Sequence, residues 1–187
     1  MTQFPKTTPF LELVTTRHSC RAYAPDKPVG HTDLDACIEA ARLAPSACNR
    51  QPWRFIVVQD CELRKKLCDS ALMPGINHDW LRDAPVIVAL AVERGVLTHR
   101  IAPKLTGLQY YMLDAGIAGE HFVLAATERG LGTCWIGWIR PRKTRRILGL
   151  PRSQKVVSLI ALGHPATPLD DIPEKPRLSA DEIIRFK

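Results

Sequence analysis

The stretch Ala44-Pro45-Ser46-Ala47-Cys48-Asn49-Arg50-Gln51-Pro52-Trp53-Arg54-Phe55-Ile56-Val57-Val58 changes character halfway along. From Trp53 onward it is β-branched and aromatic, a run of strand length. Its first half sets Ser46, Asn49 and Gln51 among small residues between Pro45 and Pro52. Turn chemistry alone accounts for such a loop, since Pro, Ser and Asn are ordinary turn residues. The same side chains, held between two prolines in front of a core strand, also offer a rigid hydrogen-bonding platform for a ligand.

Helices and strands alternate irregularly on either side. Phe10 to Thr16 reads as a short helix, and Thr32 as the N-cap of a second, in which Leu34, Ile38 and Ala41 keep helical spacing up to Pro45. After the strand Trp53–Gln59, Asp60 is placed to cap a helix over Cys61–Leu72, which Pro74-Gly75 breaks. Pro85–Val92 is nearly all apolar, as expected of a strand buried on both faces. Periodicity is lost over Glu93–Gly107, read as a mobile excursion and a candidate lid. Leu108 to Arg129 is the longest helix, apolar around much of its circumference, and Gly130 stops it. Thr133–Trp138 and Val156–Leu162 read as strands with a short helix, Lys143–Leu148, between them. Ser179-Ala180-Asp181-Glu182 is a capping box that starts a last helix. With no repeats and no low-complexity linker, residues 1–187 are expected to form one α+β domain.

Composition narrows the function classes. A 45% hydrophobic content excludes a disordered chain, and no apolar run is long enough to span a bilayer. The N-terminus lacks the basic-then-apolar pattern of a secretory signal, so the expected location is cytoplasmic. Six cysteines, at positions 20, 37, 48, 61, 68 and 134, form no C-x-x-C pair and no zinc-type spacing, and are read as reduced and mostly structural. The net charge of +7 suits nucleic acid, an acidic surface or a phosphorylated small molecule. Its densest cluster, Arg140 to Arg146, has no interleaved aromatics and sits in no nucleic-acid motif, which disfavours a nucleic-acid partner.

Arg17-His18-Ser19-Cys20-Arg21 gathers two guanidinium forks, an imidazole and a hydroxyl at a helix end, a set able to hold a phosphate. A basic helix end also simply complements the macrodipole. Gly130-Leu131-Gly132-Thr133-Cys134-Trp135 fails as a dinucleotide fingerprint, because it follows a helix and precedes a strand. No serine, histidine and carboxylate stand in a hydrolase context. The chain therefore offers binding groups without an evident acid, base or nucleophile, which points to a cofactor that carries the chemistry.

Four blocks, in order and spacing, resemble the nitroreductase family of FMN-dependent NAD(P)H oxidoreductases. They are Arg17 to Arg21 with Tyr23, then Ala44-Pro45-Ser46 through Asn49 to Gln51-Pro52-Trp53. Leu113-Asp114-Ala115-Gly116 running on to Gly130–Gly137 is the third, and Leu162-Gly163-His164-Pro165 the fourth. The resemblance spans about Phe10 to Arg185 and marks this chain as a short member. It implies a three-layer α+β sandwich, a central mostly antiparallel sheet flanked by helices, and a homodimer with FMN at the subunit interface.

Carried over position by position, it assigns Arg17, His18, Ser19 and Arg21 to the FMN phosphate and ribityl end. Ser46, Asn49 and Gln51 of the partner subunit would meet the isoalloxazine ring and its chain. Backbone around Trp135, Ile136 and Gly137 would approach from the other side, and Arg177 or Lys175 would close on the phosphate. The implied reaction is ping-pong: NADPH or NADH gives a hydride to flavin N5, then a nitroaromatic, a quinone or another electron-poor small molecule takes the electrons. One related branch dehalogenates tyrosine, but Glu93–Gly107 holds Arg94, His99, Arg100 and Lys104 rather than an acidic and aromatic set. Arg142, Lys143 or Arg145 is the candidate contact for the extra phosphate of NADPH. A flavin-holding or flavin-delivering module is the rival reading.

Overall fold

Val86-Ile87-Val88-Ala89-Leu90-Ala91-Val92 leaves no polar side chain to face water, and both faces of this strand are covered. The computed structural model describes residues 8–75, 78–93, 107–168 and 175–187. In chain order its elements are α1 (Pro9–Thr16), α2 (His31–Arg42), β1 (Trp53–Val58), α3 (Cys61–Ser70), β2 (Val86–Glu93), α4 (Tyr110–Glu128), β3 (Gly132–Ile136), α5 (Pro141–Ile147), β4 (Gln154–Gly163) and α6 (Ala180–Ile183). Residues 94–106, and with them most of the candidate lid and its polar residues, lie outside the described residues.

The four strands form one sheet in the order β1-β2-β4-β3, with every pair antiparallel. Ile87, Ala89 and Ala91 of β2 join a core with Leu67 of α3, Leu81 and the partly buried Ile147 of α5. The alternate residues Val86 and Val88 pack with Leu34 and Cys37 of α2 and Phe122 and Val123 of α4. Helices on both faces make three layers, the architecture expected from the sequence. Phe122, fully buried, stacks on Phe55 of β1 at 5.3 Å between ring centroids. The end of α4 also follows its residues: Gly130 takes φ 71°, its N–H bonds Thr127 O, and Leu131 N–H bonds Ala126 O. That paired Schellman geometry needs a left-handed residue, which glycine adopts without a Cβ clash.

Boundaries moved where tertiary pairing competed with propensity. Helix α2 starts at His31 with Gly30 as N-cap, so Thr32 lies inside the helix rather than capping it. Helix α3 stops at Ser70, because Leu72 bridges to Ile139 and Arg140 N–H bonds Ala71 O. Strand β3 ends at Ile136, short of the expected Trp138, since the chain turns at Gly137 and the Trp138 indole donates to Pro74 O. Helix α5 begins earlier than expected, with Pro141 in its first turn where the missing N–H costs nothing. Asp60 does cap α3 through Leu63 N–H, and Ser179 and Glu182 do form the capping box. All six cysteines are free, and burial pushes the Cys37 thiol up to about 11.

Phe122→Ala should lower unfolding stability by about 3–5 kcal/mol, the usual cost of emptying a buried phenyl site. Chemical denaturation of the purified variant measures this, and a loss under about 1 kcal/mol would show that the α4–sheet contact is not where the stability resides.

Candidate functional site

The chain leaving α1 runs beside the outer edge of the sheet. Ser19 forms a parallel bridge with Thr133 of β3, and Cys20 N–H donates to Thr133 O at 2.8 Å. Farther along, Tyr23 bridges Pro165, Ala24 N–H donates to His164 O, and the Tyr23 hydroxyl donates to Cys20 O. Gly132 is required here, because the Cys20 thiol lies where its Cβ would stand. Residues from the beginning, the middle and the end of the chain thus meet at one corner.

Four basic groups converge on this corner. Arg17 is mostly covered, and among the described residues its carboxylate partner is Glu120, 4.0 Å away. His18 receives or donates at Nδ1 toward Thr16 O at 3.3 Å. Burial holds the His18 imidazole below its ordinary value of about 6.5, and the positive charges of Lys175 and Arg17 lower it further. Burial raises the Cys134 thiol, while Arg21, Lys175 and Arg17 all pull it back. Lys175 therefore shares this corner with Arg17, His18 and Arg21. Arg177 is exposed and donates to Pro176 O.

Strand β3 is the last of the sheet, and among the described residues its outer edge is paired only at Thr133. Trp135 packs toward α4 and Ile136 into the core on the other face. What Trp135, Ile136 and the exposed Gly137 present along the open edge is therefore backbone.

The loop ahead of β1 is built separately. Ser46 Oγ accepts the Gln51 N–H at 2.9 Å, and the Gln51 amide donates to Asn49 Oδ1 at 2.9 Å. Cys48, Asn49 and Gln51 all take left-handed backbone, with φ of 52°, 51° and 46°. Three non-glycine residues in that region carry strain on the order of 1–2 kcal/mol each, which the surroundings must hold. The holder is Asp114 on α4, which is 3% exposed and accepts Ala47 N–H at 2.9 Å through Oδ1. Its Oδ2 is buried without a partner among the described residues. Motif spacing assigns Asp114 no role; what marks it in the sequence is a lone carboxylate on the inner face of an apolar helix. Ser46, Asn49 and Gln51 thus ride on the N-terminal half of α4, whereas Arg17 to Arg21 line the start of β3.

An antiparallel sheet sandwiched by helices, with an open edge rimmed by cations and a rigid polar loop beside its longest helix, is the frame of an α+β cofactor-binding protein. The family model described as "Nitroreductase family" matches residues 14–74 and 71–164. An "FMN reductase [NAD(P)H]" of Bacillus subtilis is 35% identical over 185 residues, covering 92% of this chain and 71% of its own. An "NADH dehydrogenase" of Thermus thermophilus is 31% identical over 189 residues, covering 86% of this chain and 90% of its own. The crystal structure of a nitroreductase family protein from Streptococcus pneumoniae superposes with a TM-score of 0.81 at 29% identity, covering 95% of this chain and all of that one. The chain belongs to the nitroreductase family.

The His18 environment sets a pH dependence. In the unfolded chain His18 titrates near its ordinary value of about 6.5 and in the folded protein lower. Between the two values the unfolded state binds more protons, so this contribution is present above pH 6.5 and is lost as pH falls below it. His18→Gln should therefore flatten the acid limb of a stability-versus-pH curve measured without ligand. An unchanged limb would place the acid sensitivity elsewhere.

Proposed function

We propose that this chain is an FMN-dependent oxidoreductase that passes a hydride from NAD(P)H to an electron-poor small molecule such as a nitroaromatic or a quinone. The observation that carries this reading is the convergence of Arg17, His18, Arg21 and Lys175 at the start of the open β3 edge. Arg17, Arg21 and Lys175 supply the forked and point charges that a phosphomonoester needs, and the Ser19 hydroxyl adds a neutral donor. Lys175 takes the tail position in this reading, because Arg177 is turned to its own neighbour's carbonyl. The backbone that Trp135 to Gly137 present along the open edge suits the polar rim of a flat ring. The names of the relatives support FMN and NAD(P)H as the pair used.

Bound here, FMN would supply the hydride-accepting and hydride-donating chemistry that a ping-pong exchange between NAD(P)H and the acceptor needs. The protein's task is then to orient and to tune. Backbone groups at the β3 edge would hydrogen-bond the ring, and Ser46, Asn49 and Gln51 would offer it fixed polar groups from the loop. A loop whose strained backbone is pinned by Asp114 holds those groups without further ordering cost when the ligand arrives.

Each site is shared between two copies of the chain. Phe10 and Val14 of α1 and Leu113 and Ile117 of α4 are exposed apolar side chains on adjoining helices. A second copy seated on this face covers them and brings its Ser46–Gln51 loop toward the cationic corner of the first. No described helix is long and apolar enough to cross a membrane; with its free cysteines, the protein is assigned to the cytoplasm.

The purified protein should be yellow, bleach when NADPH or NADH is added without oxygen, and recover its colour with a quinone. A yellow protein that neither donor bleaches would be a flavin-holding module, and a colourless one that refuses FMN would end the reading. Arg17→Ala should weaken FMN binding by about 1.5–3 kcal/mol, the value of a charge-assisted hydrogen bond. Unchanged affinity would remove Arg17 from the phosphate site.

A further inference from the structure

The densest charge in the chain is not used by the flavin reading. Arg140, Arg142, Lys143 and Arg146 from α5 and its leading residue, with Arg152 and Lys155 at the start of β4, line an open cavity of about 1100 Å³. Strand register creates it. Strand β3 ends with Ile136 opposite Leu159, while β4 begins at Gln154, so β4 extends beyond its neighbour. The chain past Gly137 swings away to pair Ile139 with Leu72 before α5 folds back beside the uncovered end of β4. Thr144, fully buried, bonds Arg140 O and fixes which side of α5 faces inward.

Among the described residues these cations have no anionic partners. Ion pairs among the described residues are made by Arg17, Arg42, Arg54, Arg82 and Arg129, and none by a residue of this cleft. Arg145 is tied to Leu150 O, and Lys155 donates to the Tyr111 hydroxyl. Arg140, Arg142, Lys143, Arg146 and Arg152 repel one another around a cavity that no carboxylate lines among the described residues. Such an arrangement focuses a positive potential into the cleft and favours a compact polyanion. Pro141, Ile147 and Val156 add apolar lining, but no aromatic residue among the described residues does, so they give the cleft no stacking platform on which a nucleic-acid strand would lay its bases.

We propose that this cleft binds the adenosine 2′-phosphate end of NADPH and makes NADPH the preferred donor. The proposal rests on the flavin reading for its geometry. Arg140 follows Gly137 by three residues, at most about 11 Å of extended chain, so a nicotinamide lying at the β3 edge has its phosphates within reach of α5. The 2′-phosphate adds up to about two negative charges at neutral pH, and arginine forks match its oxygens. NADH lacks that group and leaves the cleft cations unpaired.

Titration calorimetry of the purified protein with adenosine 2′,5′-bisphosphate and with AMP tests the cleft without reference to flavin turnover. The bisphosphate should bind more tightly than AMP by about tenfold or more, and R142A/R146A should remove about ten- to a hundredfold of that affinity. The same variant should raise KM for NADPH while KM for NADH and the FMN content stay as in the parent. R142Q alone serves if the double variant does not fold. Equal affinity for the two nucleotides, or a bisphosphate affinity that the substitutions leave unchanged, would overturn the proposal. A short DNA duplex that outcompetes the bisphosphate, and loses its affinity in the same variant, would also overturn it and give the cleft to nucleic acid. A colourless protein would end the flavin reading, whereas the nucleotide titration would still decide the cleft.

Discussion

The architecture depends on a strand that cannot face water. With β2 apolar from Val86 to Val92, both of its faces must be covered, and helices on each side of the sheet do that. Helices α3 and α5 cover one face, and α2 and α4 the other. The sheet's polar backbone is then left to its edges. On the β3 edge the segment after α1 pairs at one point, Ser19 with Thr133, and leaves the rest of the edge available. The need to bury β2 thereby produces an open rim, and the sequence has lined its start with cations.

Charge at that rim is held apart from its natural partners. Arg17 has one carboxylate at the limit of ion-pair distance, and burial and basic neighbours lower the pKa of the His18 imidazole. At 4.0 Å, with Glu120 half exposed, that pair contributes little and does not offset this accumulation. The loop at Ser46–Gln51 shows the same logic in backbone form: three left-handed residues are retained because a buried carboxylate anchors them. Strain and unpaired charge that the fold itself does not need are best understood as preparation for a ligand.

Much of this was legible in the residues. The apolar run of β2, the length of α4, the Asp60 cap and the Ser179 capping box each follow from local pattern, and the structure has them. Ends were less legible, because Leu72 and Trp138 obey partners on other segments rather than their own propensity. Arg17 to Arg21 stood out as a phosphate-type cluster, but the reach of Lys175 into it depends on how the tail lies. The role of Asp114 depends on Ala47, which is 67 positions away, a contact no spacing rule predicts. The basic run at Arg140–Arg146 was visible as charge; that it lines a cleft follows only from where β3 stops.

In the proposed dimer, each cofactor site takes its cationic corner from one chain and its polar loop from the other. Co-expression of two defective chains, one R17A/R21A and one S46A/N49A, tests this directly by FMN content. If the site is shared, a mixed dimer holds one intact site and one doubly impaired site, and about a quarter of the parent's flavin returns. If corner and loop act within the same chain, every site in the mixed population keeps a lesion. Flavin content no higher than in the two defective homodimers would then contradict the account.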